Sequence, residues 1–370
     1  MAVVATADNP SAIYFNPAGI TQLQGENLRL GVYGIDLDPS YHSSNPGGIS
    51  SDNENKLHAI PQFYYTFTKP DAIWSFGLGS YSPFGLGAEW PQDAGFRQVG
   101  YESSLTMLAL NPVIALKLSP TLSIGGGPIL DYANTDLRLG LSPGFSPVGD
   151  GLAFKGDGYA AAYNLGIRWQ PVQQLAFGVT FRSGTTIDLR GHTSDFVTGL
   201  FSEQTSAHTE LPLPMKAIFG VSYRPTDKWN FEFDADYTDW SVEKTLTVQQ
   251  TQPTAVSAPG TTIGLPLNWQ PSWYYEFGGT RYFDNGWHLS AGYIYNENSV
   301  PNANYTPLVA DLDKQFVSVG VGHKGKKFDF DVAYQFGYGT STVFNTPGYP
   351  ANGNYTYISH AIAISCEYHF

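Results

Sequence analysis

Residues 228–240, KWNFEFDADYTDW, alternate between apolar and polar side chains with a period of two. One face of this segment is apolar and the opposite face is acidic: the apolar residues are Phe231, Phe233, Ala235 and Tyr237, and the acidic residues are Glu232, Asp234 and Asp236. A period of two predicts a β-strand with a different environment on each side. The same alternation recurs at 163–169, 328–336 and 362–370, so we expect strands along nearly the whole chain.

The composition indicates what surrounds these strands. Of the 370 residues, 15% are aromatic and only 14% are charged, against about 25% charged in typical soluble domains. No apolar run reaches about 18 residues, so a transmembrane helix is not expected. A chain that is rich in aromatic residues and poor in charge fits an all-β, transmembrane antiparallel β-barrel of the bacterial outer membrane.

Charge and cysteine content exclude other classes of protein. The formal net charge of −13 argues against a nucleic-acid partner, because phosphate binding needs clustered Lys and Arg. The single cysteine, Cys366, cannot form an internal disulfide or a Cys-rich metal site.

The breaks between strands distinguish a membrane barrel from a soluble β-sandwich, which would also alternate. Short breaks such as "KLSPTL" and "FDNGW" alternate with longer polar breaks. The long breaks are expected at 43–57, 91–98, 142–152, 195–210, 250–268, 299–312 and 345–356. A membrane barrel has tight turns on one side and longer loops on the other, and a sandwich has no reason to keep that order.

We expect about fourteen strands, an even number as in bacterial single-chain barrels. They are predicted at 27–42, 58–69, 72–89, 99–119, 121–142, 152–170, 174–195, 206–225, 228–249, 269–284, 286–298, 313–324, 327–344 and 357–370. Near strand ends, amphipathic rings favour the membrane interface. The Trp residues expected there are Trp74, Trp169, Trp229 and Trp287.

The first 25 residues do not alternate, and their turn-rich stretch "NPSAIYFNPAGI" (9–20) is partly apolar. A fourteen-stranded barrel encloses more space than its wall side chains fill. We therefore expect residues 1–25 to form a small hatch, or plug, inside the lumen of a barrel formed by 26–370. The alternative is a disordered tail, but Tyr14, Phe15 and Ile20 are unusual for such a tail.

The stretch "SAIYFNPAGITQL" resembles the N-terminal hatch motif of the FadL-like outer-membrane transporters of long-chain fatty acids and aromatic hydrocarbons. Three further stretches match this family in order along the chain: 80–90 (SYSPFGLGAEW), 211–241 and 273–301. The family normally has further residues before the hatch motif, and "MAVVATADNP" shows no secretory signal. We therefore expect the start shown here to be processed or truncated.

The resemblance implies a gate and an opening in the wall. The hatch turn that forms the gate corresponds to Asn16, Pro17, Ala18 and Gly19, and an inward kink of the third strand, the lateral opening, corresponds to Pro83, Phe84 and Gly85. Proline cannot donate to a strand ladder and glycine tolerates unusual dihedral angles, so a local break in pairing is expected here. The alternative is that "SPFG" merely ends the strand.

The function implied by the resemblance is passive uptake of a hydrophobic small molecule, a fatty acid or an aromatic hydrocarbon, with lateral exit into outer-membrane lipid. Candidate ligand-path residues are Tyr14, Phe15, Phe196 and Phe201, with 195–210 serving initial capture because the loop at 142–152 is short. We expect a monomer. The alternatives are a general polar-lumen porin, favoured by the inward Asp and Glu, and a structural or adhesive barrel.

Catalytic and cofactor chemistry is not indicated. "GVGHKGKK" (320–327) contains GxGxxG, but a strand follows it rather than the helix that a phosphate site needs. The acidic row of Glu232, Asp234 and Asp236 is ordinary on a lumen-facing wall, and the eight His show no HExxH spacing. We expect no enzyme activity, no cofactor and no metal.

Overall fold

The computed structural model describes residues 2–54, 57–141, 149–198, 201–254, 262–309 and 311–370, without the side chains of Leu86 and Phe201. Its strand segments are β1 (Gly25–Leu37), β2 (Ser40–Ser43), β3 (Ser51–Asp52), β4 (Leu57–Thr68), β5 (Trp74–Tyr81), β6 (Gly85–Glu89), β7 (Glu102–Lys117), β8 (Leu122–Gly140), β9 (Gly151–Val172), β10 (Leu175–Arg182), β11 (Thr185–Val197), β12 (Phe201–Leu213), β13 (Lys216–Thr226), β14 (Trp229–Thr238), β15 (Thr245–Gln250), β16 (Thr262–Pro266), β17 (Ser272–Tyr282), β18 (Trp287–Asn296), β19 (Lys314–Lys324), β20 (Phe328–Val343) and β21 (Gly353–His369).

These segments form one closed antiparallel barrel of fourteen spans, as predicted. Each span pairs with its neighbours in chain order, and β1 closes the ring against β21, from Asn27 opposite His369 to Leu37 opposite Ser359. Seven spans consist of two consecutive segments: β1 with β2, β3 with β4, β5 with β6, β10 with β11, β12 with β13, β14 with β15, and β16 with β17. Pairing β1 with β21 joins the first and last spans and so removes the two outer edges that an open sheet would expose to lipid.

The connections at one end of the barrel are tight. The turn after β17 is an example: Phe283 and Trp287 pair through their backbones at 2.9 Å, and Gly286 adopts a positive φ of 85°, which favours glycine. At the other end most connections are long, as predicted. The long break predicted at 195–210 is wrong, because β11 runs to Val197 and pairs directly with β12 from Phe201. The predicted loop at 142–152 lies mostly outside the described residues.

The two faces of the strands have the predicted directions. Phe231, Phe328 and Ile362 are 46%, 58% and 52% exposed on the outside of the ring, whereas Glu232 and Asp234 are 5% and 1% exposed on the inside. A soluble sandwich would have buried the apolar face instead. Exposed Trp74, Trp169, Trp229 and Trp287 lie beside the tight turns, where an aromatic belt is expected.

Helices are few and short. An α-helix, α1 (Ala12–Phe15), is followed by a 3₁₀-helix at Pro17–Gln22, and three further 3₁₀-helices lie at Trp240–Val242, Asn302–Asn304 and Pro307–Val309. Within the described ranges no helix has the length and apolar character needed to cross a membrane.

Replacing Val332 with Arg tests the outward face of β20. Val332 is 40% exposed on that face, and an arginine near the middle of the hydrocarbon layer of a barrel costs about 2–4 kcal/mol. We expect Val332→Arg to lower the free energy of unfolding from lipid vesicles by that amount, measured by urea titration with tryptophan fluorescence.

Thr342→Arg is the matched control, because Thr342 lies on the same strand and the same face. It lies about 33 Å further along at roughly 3.3 Å per residue, beyond the lipid, so we expect a loss below about 1 kcal/mol. Equal losses in both variants would contradict the assignment of lipid to this face.

Candidate functional site

The N-terminal segment, residues 2–24, lies inside the ring against inward-facing side chains. Ile13 and Ile20 are completely buried. The Asn164 side-chain amide of β9 donates to the carbonyl of Ile13 at 3.0 Å, and the Thr21 hydroxyl donates to Ser123 of β8 at 2.9 Å. The segment therefore occupies the space that a barrel of this width leaves open.

The turn Asn16–Gly19 packs closely against β8 and β9. The Asn16 side chain is buried, and its amide donates to the carbonyls of Val4 at 2.9 Å and Ile167 at 3.0 Å. A Cβ added at Gly19 would lie 2.4 Å from the Ala7 carbonyl oxygen, so only glycine fits there. The turn is thus fixed both to the wall and to the start of its own segment.

Asp8 ties the segment to two further strands. Its Oδ2 lies 3.1 Å from the Arg224 guanidinium on β13 and 3.7 Å from the Lys324 ammonium on β19. Burial alone would raise the pKa of the Asp8 carboxyl, but the charges of Lys324 and Arg224 outweigh it and hold the pKa below its ordinary value. Asp8 therefore remains a carboxylate within the barrel.

The third span, β5 with β6, is interrupted at residues 82–84. Tyr81 of β5 pairs with Ala109 of β7, and Gly85 of β6 pairs with Thr106 of β7. Three residues, 82–84, therefore lie opposite two residues of β7, 107 and 108. This is a β-bulge, and the Ser82 hydroxyl donates to the Met107 carbonyl at 2.6 Å.

Beside this break, β4 is only partly paired. That strand pairs with β5 only from Phe63 to Phe67, and in the described part of the chain its residues 57–62 pair with β1 alone. Beyond the gap, the wall closes again where the Glu54 N–H donates to the Glu89 carbonyl at 2.6 Å.

A small cavity lies between the N-terminal segment and this break. It is lined by Tyr14 of the segment, by Tyr81, Pro83 and Phe84 of the third span, and by Asn164, Thr180, Arg182, Lys216 and Ile218. Its volume of about 20 Å³ is room for one water molecule. A ligand of more than a few atoms would need the N-terminal segment or Phe84 to move.

Two cations line this cavity, and each pairs with a buried carboxylate. The Arg182 Nη2 contacts both oxygens of Asp131 at 2.8 and 2.9 Å, and the Lys216 ammonium lies 2.6 Å from Asp236. Arg182 is 9% exposed, and its Nη1 has no hydrogen-bond partner in the described structure. One nitrogen of the Arg182 guanidinium thus lacks an acceptor among the described residues around the cavity.

Aromatic rings connect the cavity to the loop end of the barrel. Phe84 packs edge-on against Trp240, and Trp240 against Trp269, each with ring centroids 5.4 Å apart. Trp269 belongs to a buried cluster at that end, which also contains Tyr41, Trp90, Phe96, Tyr305 and Tyr355. Glu243 is close by, and its carbonyl accepts the Trp269 backbone N–H at 2.9 Å.

The predicted site residues are only partly brought together. Tyr14, Pro83 and Phe84 share the cavity, and Phe15 packs against Tyr14 with ring centroids 4.9 Å apart. Asn16–Gly19 lie instead against β8 and β9. Phe196 lies on the face of β11 opposite its buried residues, away from the cavity, and the Phe201 side chain is outside the described structure.

Sequence reasoning missed Arg182, Lys216, Trp240 and Trp269. Strand alternation places both cations on the inner face, but it cannot show which of the inward charges surround one cavity. Their partners lie on other strands, 51 residues away in the case of Arg182 and Asp131.

Asp329, Glu367 and His369 have candidate metal-ligand atoms within 4.8 Å of one another. Arg29 already pairs with Glu367 at 3.2 Å, and the His369 Nε2 lies 3.3 Å from Asp329. An ion-pair network accounts for this arrangement without a metal.

Comparison with known proteins finds relatives in sequence and in structure. The Long-chain fatty acid transport protein of Escherichia coli (strain K12) is 24% identical over 389 residues, covering 93% of this chain and 85% of that protein. The crystal structure of a Pseudomonas aeruginosa FadL homologue matches with a TM-score of 0.85 at 19% identity, covering 98% of this chain and 94% of the other. The Ralstonia pickettii toluene transporter TbuX matches with a TM-score of 0.78 at 17% identity, covering 100% and 98%.

The model of one protein family, described as Outer membrane protein transport protein (OMPP1/FadL/TodX), matches residues 2–370. That match spans both the N-terminal segment and the complete barrel, and it agrees with the resemblance drawn from the sequence. The chain belongs to this FadL/TodX family of outer-membrane transport proteins.

Proposed function

We propose that the protein admits hydrophobic small molecules passively across the outer membrane and releases them sideways into the lipid. The N-terminal segment acts as the hatch, the turn Asn16–Gly19 acts as its gate, and the break at Pro83–Gly85 is the exit. The observation that carries this proposal is the cavity itself, because its lining joins Tyr14 of the segment to Pro83 and Phe84 at the wall opening.

Lateral exit has a physical rationale. Moving an apolar chain into water costs roughly 0.8 kcal/mol per CH₂, so a water-filled channel that leads into the aqueous periplasm gives such a solute little benefit. An opening between β4 and the third span would release it directly into the hydrocarbon layer. The rings of Trp269, Trp240, Phe84 and Tyr14 form an apolar path from the loops to that opening.

The cavity favours a long-chain fatty acid over a neutral aromatic hydrocarbon. The names of the relatives include both substrates, but Arg182 offers an unpaired N–H donor beside the apolar rings. A carboxylate accepts such a bond in a charge-assisted form, whereas toluene has no acceptor oxygen.

A polar porin is the rival function, and the buried N-terminal segment argues against it. Purified protein in liposomes distinguishes the two: swelling in sugar solutions measures a water-filled pore, and influx of a labelled fatty acid measures hydrophobic uptake. We expect fatty-acid influx without swelling. Sugar-driven swelling at porin rates would overturn the proposal.

Deleting Pro83 tests the wall opening. The deletion leaves two residues opposite two, so β5 and β6 become one strand in continuous register with β7 and can pair with residues 57–62 of β4. We expect uptake of labelled oleate to fall to background. The barrel should still fold, and the shift in migration of unheated protein on a denaturing gel measures this.

Pro83→Ala is the control, because it keeps the extra residue and therefore the bulge. This variant should retain most of the uptake. Lateral exit would be refuted by a deletion variant that folds and still transports oleate at the normal rate.

Neutralising the Arg182–Asp131 pair tests the substrate preference. Asp131→Asn accompanies Arg182→Gln so that no buried carboxylate is left unpaired. We expect the affinity for oleate, measured by titration calorimetry, to fall about tenfold or more, since a hydrogen bond to a charged group contributes roughly 1.5–3 kcal/mol. Toluene uptake should not change.

The matched control removes an ion pair outside the cavity, Lys228 with Asp284 at 2.8 Å, as Lys228→Gln with Asp284→Asn. Both ligands should behave normally in that variant. A parallel loss of oleate and toluene in the Arg182 variant would show that the pair supports only the shape of the cavity.

A further inference from the structure

Two acidic side chains on the inner face of β14 receive the start of the N-terminal segment. The backbone N–H groups of residues 3 and 4 donate to Oδ2 of Asp234 at 2.7 and 3.0 Å. Those of residues 5 and 6 donate to Oε1 of Glu232 at 2.6 and 3.1 Å. Four consecutive peptide N–H groups thus converge on two carboxylates two positions apart on one strand.

A side-chain contact completes this arrangement. The Thr6 hydroxyl donates to the second oxygen of Glu232, and the Asn230 amide donates to the Thr6 hydroxyl oxygen at 2.9 Å. A buried N–H that loses its acceptor oxygen is left without a hydrogen bond, which is unfavourable. Because both acids are at least 95% buried, water does not replace these donors while the segment is docked.

The neighbouring strands leave room for the docked backbone. A Cβ at Gly178 of β10 would lie 2.3 Å from the Val4 carbonyl oxygen, and a Cβ at Gly220 of β13 would lie 3.1 Å from the Ala5 nitrogen. Opposite, the Arg168 Nε donates to the Ala5 carbonyl at 2.9 Å. Residues 3–6 therefore pack closely against these strands instead of lying loosely in the lumen. We call the surface that they contact the seat.

This seat is connected directly to the gate turn. The Val4 residue that donates to Asp234 also accepts, through its carbonyl, the 2.9 Å bond from the Asn16 amide. The Gln22 amide likewise donates to the Thr6 carbonyl at 3.0 Å. A displacement of residues 3–6 removes one of the Asn16 amide contacts and one support of the 3₁₀-helix that follows the turn.

We propose that Glu232 and Asp234 are the latch of the N-terminal segment, holding its first residues to β14 and, through Val4, holding the Asn16 turn in its closed position. The latch rests on the proposed function for its role in uptake, but its own structural claim is independent of transport. It acts by position, since neither acid is required to touch the transported molecule.

Amide hydrogen exchange in the full-length protein in proteoliposomes tests the latch. Asp234→Ala and Glu232→Ala remove the oxygens that accept these bonds. We expect the amides of residues 3–6 to exchange about tenfold faster or more in each variant, because their N–H groups lose these acceptors. Amides of residues 16–19 should also exchange faster, whereas β20 and β21 should keep their protection.

Glu367→Ala is the control, since Glu367 is also a buried, inward acid but pairs with Arg29. It should leave residues 3–6 unchanged. Unchanged exchange of residues 3–6 in both latch variants would overturn the latch, and faster exchange of 3–6 without any change at 16–19 would overturn its coupling to the gate. If an acid variant does not fold, Thr6→Val replaces it, because this substitution removes one donor to Glu232. The same changes in amide exchange at residues 3–6 and 16–19 are expected for that variant.

Oleate influx into the same proteoliposomes separates this inference from the proposed function. Faster exchange together with faster influx supports both. Faster exchange at residues 3–6 and 16–19 with normal influx leaves the latch established and refutes the gate role of the N-terminal segment.

Discussion

The pairing of every backbone N–H and C=O in a medium without water is the constraint on which this molecule depends. A single open edge in hydrocarbon costs several kcal/mol per unpaired group, so the sheet must close β1 on β21. Closure fixes an outside and an inside. Apolar side chains on one face of each strand then face lipid, and the acids and cations on the other face must find partners within the ring.

The break in the third span is the exception to this constraint, and its surroundings compensate for it. The Ser82 hydroxyl caps one carbonyl of β7, and the wall is joined again at Glu54 and Glu89. Tyr14 of the N-terminal segment lies across the cavity from Pro83 and Phe84. The segment that fills the lumen therefore also covers the interrupted part of the wall.

Much of this architecture could be predicted because period-2 alternation records which face meets lipid. The strand count and the two faces follow from this alternation. The hatch role of residues 1–25 and the lateral opening at Pro83–Gly85 rest on turn residues and on the family resemblance, and both stay predictions. The prediction failed at 195–210. The hairpin of β11 and β12 contacts water on its outer face, as the exposed ion pair of Asp188 and Arg190 shows. A strand whose outer face contacts water does not need apolar residues on that face, so its sequence resembles that of a polar loop. The Arg182–Asp131 pair was missed because it depends on register between spans.

The single extra residue of the bulge has a consequence for reading such sequences. Before it, odd-numbered residues such as Gly79 and Tyr81 point inward; after it, even-numbered Ala88 and Trp90 do. The inner face of this one span is therefore formed by odd-numbered residues before the bulge and by even-numbered residues after it. In an uninterrupted membrane strand such an inversion would place polar side chains in lipid. A parity switch within one span is therefore a mark by which such bulges can be sought in barrels known only from their sequences.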